Sequence, residues 1–371
     1  MEEARTGTQG LEEDLERQAQ AVEGRSPPYA RALELLPSVL SSAAGRRVAA
    51  AWAHRRFYAW YARPLLLLAA LRNDALAEGP AHPLWRGLAA RAPSARAVTE
   101  DALLVALDGT RERVFDALAH RTVQTNETSR AVAWLWPAAL AGASGGGRAI
   151  ALADVGASAG LNLVGDDLPP IWTDEEGAPL EVARAVRAVA RLGLDEAPLD
   201  ALRDEEARWL RACVWPGEAE REERLLDAIE AFRAARIRPD APVLVPIGVT
   251  LVPSRLDLLC AAAPDALVIA FQTVVRDYLA PEEREAYVAG MHAWLATHPP
   301  GKALWIELET LDGGGDPPAG ILAHVRAPGG ALRRIVLGRC GYHPRRVARM
   351  REGEAELRAL LRPEAHAGAR T

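Results

Sequence analysis

The chain of 371 residues is 49% hydrophobic, enough for two domains or one large domain with an extension. Its 44 Lys+Arg against 50 Asp+Glu leave a net charge of −6, which argues against an overall basic nucleic-acid binder. Cys213, Cys260 and Cys340 form no C-x-x-C pair, which argues against a disulfide scaffold or zinc knuckle, and no metal is expected. No secretory signal is visible, and the apolar runs at 64–71 and 131–143 are too short to span a bilayer. The expectation is a soluble cytoplasmic protein with a small-molecule substrate and no nucleic-acid or membrane partner, its oligomeric state open.

Residues 1–140 read as an all-helical region. Helices are predicted over 11–21, charged and exposed; over 29–40, with Leu33, Leu36 and Leu40 at helical spacing; and over 48–62, holding Trp52, Tyr58, Trp60 and Tyr61. Pro64 is placed to open the next helix, 65–71. Helices over 101–107, 112–120 and 129–140 follow, with no strand. The glycine-rich joint 141–147 separates this region from a second, 141–371. There, strands are predicted at 149–155, 181–189, 243–247, 266–271 and 303–309, and helices at 160–164, 204–214, 218–236, 254–262 and 281–297. Alternation of this kind gives right-handed crossovers and a mostly parallel sheet. The strands 321–326 and 331–337, joined by Ala327-Pro-Gly-Gly330, read as an antiparallel hairpin, which makes seven strands. From Glu352 onward the chain reads as a helix and a frayed tail. The expected class is α/β, with a Rossmann-like sheet.

The most informative segment is Asp154-Val-Gly-Ala-Ser-Ala-Gly-Leu-Asn-Leu163. An apolar strand ends in an acid, then a turn of small residues, then a helix start. Such a turn lets backbone N–H groups approach a ligand at the strand's tip. The pattern D-x-G-x-S-x-G differs from the S-adenosylmethionine signature, acid-x-G-x-G-x-G, at one position. A dinucleotide site fits less well, because G-x-G-x-x-G is missing. The same letters spell G-x-S-x-G, with Ser158 as a hydrolase nucleophile, Asp277 as a candidate acid, and His292, His324 or His343 as a candidate base. The helical segment before the strand and the lack of a His-Gly-Gly-Gly loop weigh against a hydrolase. A tight turn without a ligand is the third alternative.

Together with Gln124-Thr-Asn-Glu127, Arg208-Trp-Leu-Arg-Ala-Cys-Val-Trp-Pro216 and Tyr278-Leu279, this run resembles the bacterial domain of unknown function family 2332. The resemblance implies a helical N-terminal region followed by a methyltransferase-like Rossmann domain. Two positions depart from the family pattern. After the third strand the family reads Gly-Asp-Ala where this chain has Gly248-Val249-Thr250, and after the fourth it often has a histidine where this chain has Gln272. Val249 cannot accept a hydrogen bond from an adenine edge, and glutamine cannot exchange protons near neutral pH.

The leading expectation is therefore an S-adenosylmethionine-dependent methyltransferase-like (class I) protein acting on an unidentified small molecule. In that reading Asp154, Gly156, Ser158, Gly160, Asn162, Asp195 and Gly248 hold the cofactor. Gln124, Asn126, Trp209, Trp215, Tyr278 and Glu307 line the substrate side, and Gln272 and Glu127 align the acceptor. Thr125 or Asn126 also suits a helix cap, and Glu307 and Glu309 share one face of their strand. Asp195 and Asp200 are both candidates for ribose hydroxyls, at a spacing that fits only loosely, and His343, Arg345 and Arg346 form a candidate anion patch. The second hypothesis, favoured by Val249 and Gln272, is a binding protein on the same scaffold without chemistry; the third is the hydrolase.

Overall fold

The computed structural model describes residues 5–124, 126–311 and 313–362. In chain order its elements are β1 (Arg5–Thr6), α1 (Leu11–Val22), α2 (Pro27–Leu40), α3 (Ala43–Ala51), β2 (Arg56–Phe57), α4 (Ala62–Glu78), α5 (Glu100–Ala106), α6 (Glu112–His120) and α7 (Val132–Leu140). Then come β3 (Ile150–Val155), β4 (Thr173–Asp174), β5 (Ala188–Asp195), α8 (Asp204–Cys213), α9 (Ala219–Ala235), β6 (Val243–Pro246), α10 (Val252–Ala262) and β7 (Leu267–Thr273). The chain closes with α11 (Pro281–Thr297), β8 (Ala303–Thr310), β9 (Ala319–Arg326), β10 (Leu332–Cys340), β11 (Arg346–Arg349) and α12 (Arg351–Leu361). The tail expected after α12 lies outside the described residues from 363 onward. Two compact units result: Met1–Thr125 with Asp200–Leu226, and Asn126–Leu199 with Asp227–Thr371.

The first unit is helical apart from the short β1–β2 pair. Its α1 is not the exposed helix expected: Leu11, Leu15 and Val22 are buried, and so is Asp14, which accepts from Arg63 Nε at 3.1 Å and Nη2 at 2.5 Å. The helix expected over 48–62 is interrupted. Trp52 ends α3 and packs edge-on to Phe57 at 5.4 Å, while Phe57 pairs with β1. Tertiary packing of the aromatics overrides their modest helix propensity. Pro64 is the third residue of α4, a first-turn position where its missing N–H costs nothing. That helix continues past Leu71 because its polar residues find partners inside. Arg72 donates to Leu88 O at 2.9 Å and to Glu222 Oε2 at 2.5 Å, and it also bonds the carbonyls of Arg211 and Val214 at the end of α8.

The second unit is built on a nine-stranded sheet in the order β4-β11-β10-β9-β8-β7-β3-β5-β6. Strands β6, β5, β3, β7 and β8 are parallel, whereas β9, β10 and β11 follow in antiparallel pairs. The two strands beyond the expected seven, β4 and β11, are short and pair with each other. The second strand begins at Ala188 rather than at 181. The stretch before it binds elsewhere: Ala183 N donates to Leu135 O, and Arg184 O accepts from Gly145 N. Chain order runs from β3 outward to β5 and β6, then returns to β7 and β8. The reversal between β3 and β7 is a topological switch point, the usual place for a ligand crevice in open parallel sheets.

Helix α7 is apolar all round and is buried on one face of the sheet, against Ile150, Leu152, Phe271 and Ile306. It therefore belongs to the sheet unit, and the glycine-rich segment 141–147 lies within that unit. Helices α10 and α11 cover the other face, over Ala151, Ala153, Val268, Ala270 and Trp305. Side chains alternate along a strand. Asp154 thus faces the α7 layer, while Gln272, Glu307 and Glu309 face the α11 layer.

Candidate functional site

The turn after β3 has the glycines of a ligand-approaching loop and a left-handed backbone at three positions, with φ of 73° at Gly156, 50° at Ser158 and 71° at Gly160. Its use is different. Gly156 N and Ala157 N donate to Leu194 O, Ser158 N to Asp195 Oδ2 at 2.8 Å, and Gly160 N to Ala157 O. These amides tie the turn to β5 and to itself. The glycine flanks are filled as well: a Cβ on Gly156 would lie 2.6 Å from Val275 Cγ2, and one on Gly160 2.7 Å from Leu244 Cδ2. The helix expected at 160–164 is a 3-10 segment, Leu161–Asp167, broken at Val164. The glycines therefore serve close packing in addition to turning the chain.

Asp154, at the end of β3, is 2% exposed, and its Oδ2 has no hydrogen-bond partner. Burial, and then the negative charge of Asp195, push its carboxyl well above the usual range. Both Asp195 oxygens cap backbone amides, Oδ2 that of Ser158 and Oδ1 that of Ala197 at 2.9 Å. Asn162 Oδ1 is a second buried oxygen without a partner, and its carbonyl accepts from Trp134 Nε1 at 2.8 Å. Asn126 Nδ2 donates to Ser158 Oγ at 2.7 Å, so Asn126, Ser158 and Asp195 form a connected group.

Glu127, 3% exposed, rather than Asn126 caps the following turn, accepting from Ser129 N at 3.1 Å and Ser129 Oγ at 2.7 Å. Thr125, the other capping candidate, lies outside the described residues. The second oxygen of Glu127 pairs with His343 Nδ1 at 3.0 Å. The backbone at Glu127 is extended (φ −97°, ψ 100°), so the side chains of Asn126 and Glu127 diverge. Ser158 Oγ accepts from Asn126 while His343 pairs with Glu127, and no hydrogen bond joins Ser158 to a histidine among the described residues. His324, another candidate base, is paired with Glu307 on the α11 face.

Gln272 is fully buried and internally engaged. Its Oε1 accepts from Tyr287 Oη at 2.6 Å and Trp305 Nε1 at 3.1 Å, while its Nε2 donates to Glu309 Oε1 at 2.7 Å. This glutamine joins α11 to β7 and β8, and it is on the face opposite Asp154. Glu309 also accepts from Val275 N at 2.9 Å, and burial raises its carboxyl to about 7. Glu307, with no exposed surface, holds His324 Nε2 at 2.7 Å and forms an ion pair with Arg276. Sequence reasoning noticed that the two glutamates alternate; it gave no sign that Glu309 is the one poised near neutral pH. Nor did it point to Val274, a β-branched residue at φ 56°, directly after β7. Backbone strain of this kind concentrates at functional sites.

The remaining expected residues are dispersed. Tyr278 is half-exposed, and Gly248 has open space where a side chain would stand. Gln124, Trp209 and Trp215 belong to the first unit. There Trp209 is core, donating to Thr122 O at 3.1 Å; Gln124 bonds Thr122 Oγ1 at 3.2 Å; and Arg25 stacks over Trp215 at 4.5 Å. Among the described residues, Asp74, Glu78 and His82 have metal-ligand proximity, but Arg111 and Arg113 already pair with these carboxylates. No helix of the described residues is long and apolar enough to cross a membrane.

Architecture and site together define a mixed α/β protein with a polar cluster at the carboxyl edge of a largely parallel sheet. The chain belongs to the DUF2332 family, described as an uncharacterised protein conserved in bacteria, whose profile matches residues 12–349. No curated protein and no solved structure matches the chain.

Proposed function

We propose that this protein binds S-adenosylmethionine at the switch point between β3 and β7 and is a methyltransferase-like protein acting on a small molecule. The observation that carries the reading is the unpartnered Asp154 oxygen, 2% exposed residue and all, at the carboxyl end of the first parallel strand. A buried carboxyl without a partner is costly, and a ligand ammonium or hydroxyl would satisfy it. Asp195 uses two of its roughly four acceptor sites on backbone amides, leaving capacity for ribose hydroxyls. With its turn amides engaged, the site suits an amino-acid-bearing nucleoside better than a pyrophosphate. The bound group would supply an electrophilic methyl sulfonium. The protein's own part is to hold the amino end at Asp154, orient the ribose at Asp195 and exclude water.

A second reading is binding without chemistry. It is favoured by the internal engagement of Gln272 and Glu127 and by apolar Val249 in place of an acid. A thermal-shift series with S-adenosylmethionine, its demethylated product, NAD and ATP tests the first claim. A ligand at a hundred times its Kd adds about 2.7 kcal/mol of stability. The expected result is a shift with both adenosyl ligands that is lost in Asp154→Asn; no shift with either overturns the reading. Transfer of a labelled methyl group to a small-molecule extract then separates enzyme from binder.

A further inference from the structure

On the α11 face lies a second group of side chains, separate from Asp154. Glu307 is completely buried, and its Oε2 accepts from Nε2–H of His324 at 2.7 Å. With Nε2 turned to Glu307, Nδ1 is the ring nitrogen of His324 left to meet another group. The imidazole is also held in place by stacking on Trp305, with ring centroids 4.3 Å apart and planes 27° from parallel. His292, from α11, stands beside it, the two ring centroids 5.6 Å apart. Neither Nδ1 of His324 nor either ring nitrogen of His292 has a hydrogen-bond partner among the described residues.

We propose that His324 and His292 form a binding site for a borderline divalent transition-metal ion of the zinc class, with Glu307 orienting His324 from behind. Imidazole nitrogen is the preferred neutral donor for such ions, at about 2.0–2.1 Å. Two imidazoles on one tetrahedral ion have ring centres roughly 5–6 Å apart by that bond length, the separation found here. A carboxylate that accepts the far N–H of a ligating histidine is the recurrent support of such sites. Arg276, the nearest cation, is ion-paired with Glu307. Two protein donors leave coordination positions for water or an exogenous ligand, the pattern of an open site rather than a closed structural one. The site is independent of the S-adenosylmethionine reading.

The test is titration of the metal-stripped full chain with Co2+ or Zn2+, followed by calorimetry and, for Co2+, by visible absorption. One equivalent is expected to bind. His292→Ala, at a half-buried helix position, and His324→Ala are each expected to weaken binding at least about tenfold. Glu307→Gln is expected to weaken it about 10–100-fold. Because Glu307 is in the core, His292→Ala is the deciding variant, with circular dichroism confirming its fold. Failure of the wild-type chain to bind one equivalent overturns the proposal. So does wild-type affinity in His292→Ala, or a bound ion lost instead in Glu78→Gln, which would move the site to the Asp74–His82 group.

Discussion

Two carboxyls carry most of the chemistry that single residues can be asked about. Glu309 rises from an ordinary 4.5 to about 7. The folded state therefore binds its proton more tightly than the unfolded chain, and stability falls as pH rises from about 4.5 to about 7, then levels off. The full effect is of order 3 kcal/mol at about 1.4 kcal/mol per unit. Urea unfolding of Glu309→Gln is expected to lack this slope and to leave the variant more stable than wild type at pH 8. Asp154 is also raised, by burial and by Asp195. An ammonium ligand favours its ionised form, so binding of S-adenosylmethionine releases a proton, and affinity rises with pH across the range where Asp154 is still protonated. Calorimetry in buffers of different ionisation enthalpy measures that proton. An enthalpy independent of buffer would mean that Asp154 does not meet the amino group. Asp154→Asn, relieved of a desolvated acid, is expected to fold at least as stably as wild type at pH 7 while losing the ligand.

At the scale of elements, the turn after β3 and the strained segment after β7 are packed into each other. Val275 occupies the place of a Gly156 side chain, and Val274 holds φ 56°. Gly156→Ala meets both a steric overlap and an unfavourable φ, a loss of about 1–3 kcal/mol. Adding Val275→Ala removes the overlap but not the φ term. A double-mutant cycle followed by thermal unfolding should show positive coupling, and strict additivity would exclude the contact. Much of this level was legible in the sequence. Helical spacing of leucines located α2, and α6, α11, β3, β7 and β8 fall close to their expected ranges. The turn's composition marked it as a turn, but it revealed neither the positive φ of Ser158 nor what fills the glycine flanks, because Val275 and Leu244 are distant in sequence. The same limit hid the end of α3, where Trp52 turns to meet Phe57, and the late start of β5.

For the molecule as a whole, the alternation of strands and helices was enough to predict a largely parallel sheet with antiparallel strands at its C-terminal side. Two edge strands escaped notice, since a two-residue β4 and a four-residue β11 carry no periodicity of their own. The candidate site was legible only in part. Asp154, Ser158, Asn126 and Asp195 gather on or beside one face; Gln272 and Glu307 lie on the other, a division set by strand parity that becomes visible only when register is known. Hydrogen exchange is expected to be slowest in β3, β7 and β8, whose residues are buried on both faces up to the last positions, and fastest in β6. Fast exchange across β7 would contradict its central place.

The two margins of the sheet differ in kind, yet both discourage extension. One is β4, only two residues long; the other is β6, four residues closed by Pro246 and preceded by Pro239 and Pro242. A stray strand approaching either rim meets too short a row of backbone donors, or an imino acid with none to offer. Neither rim of the nine-stranded sheet thus offers a long template for ladder-like self-association, and the number of its strands is capped by its own borders.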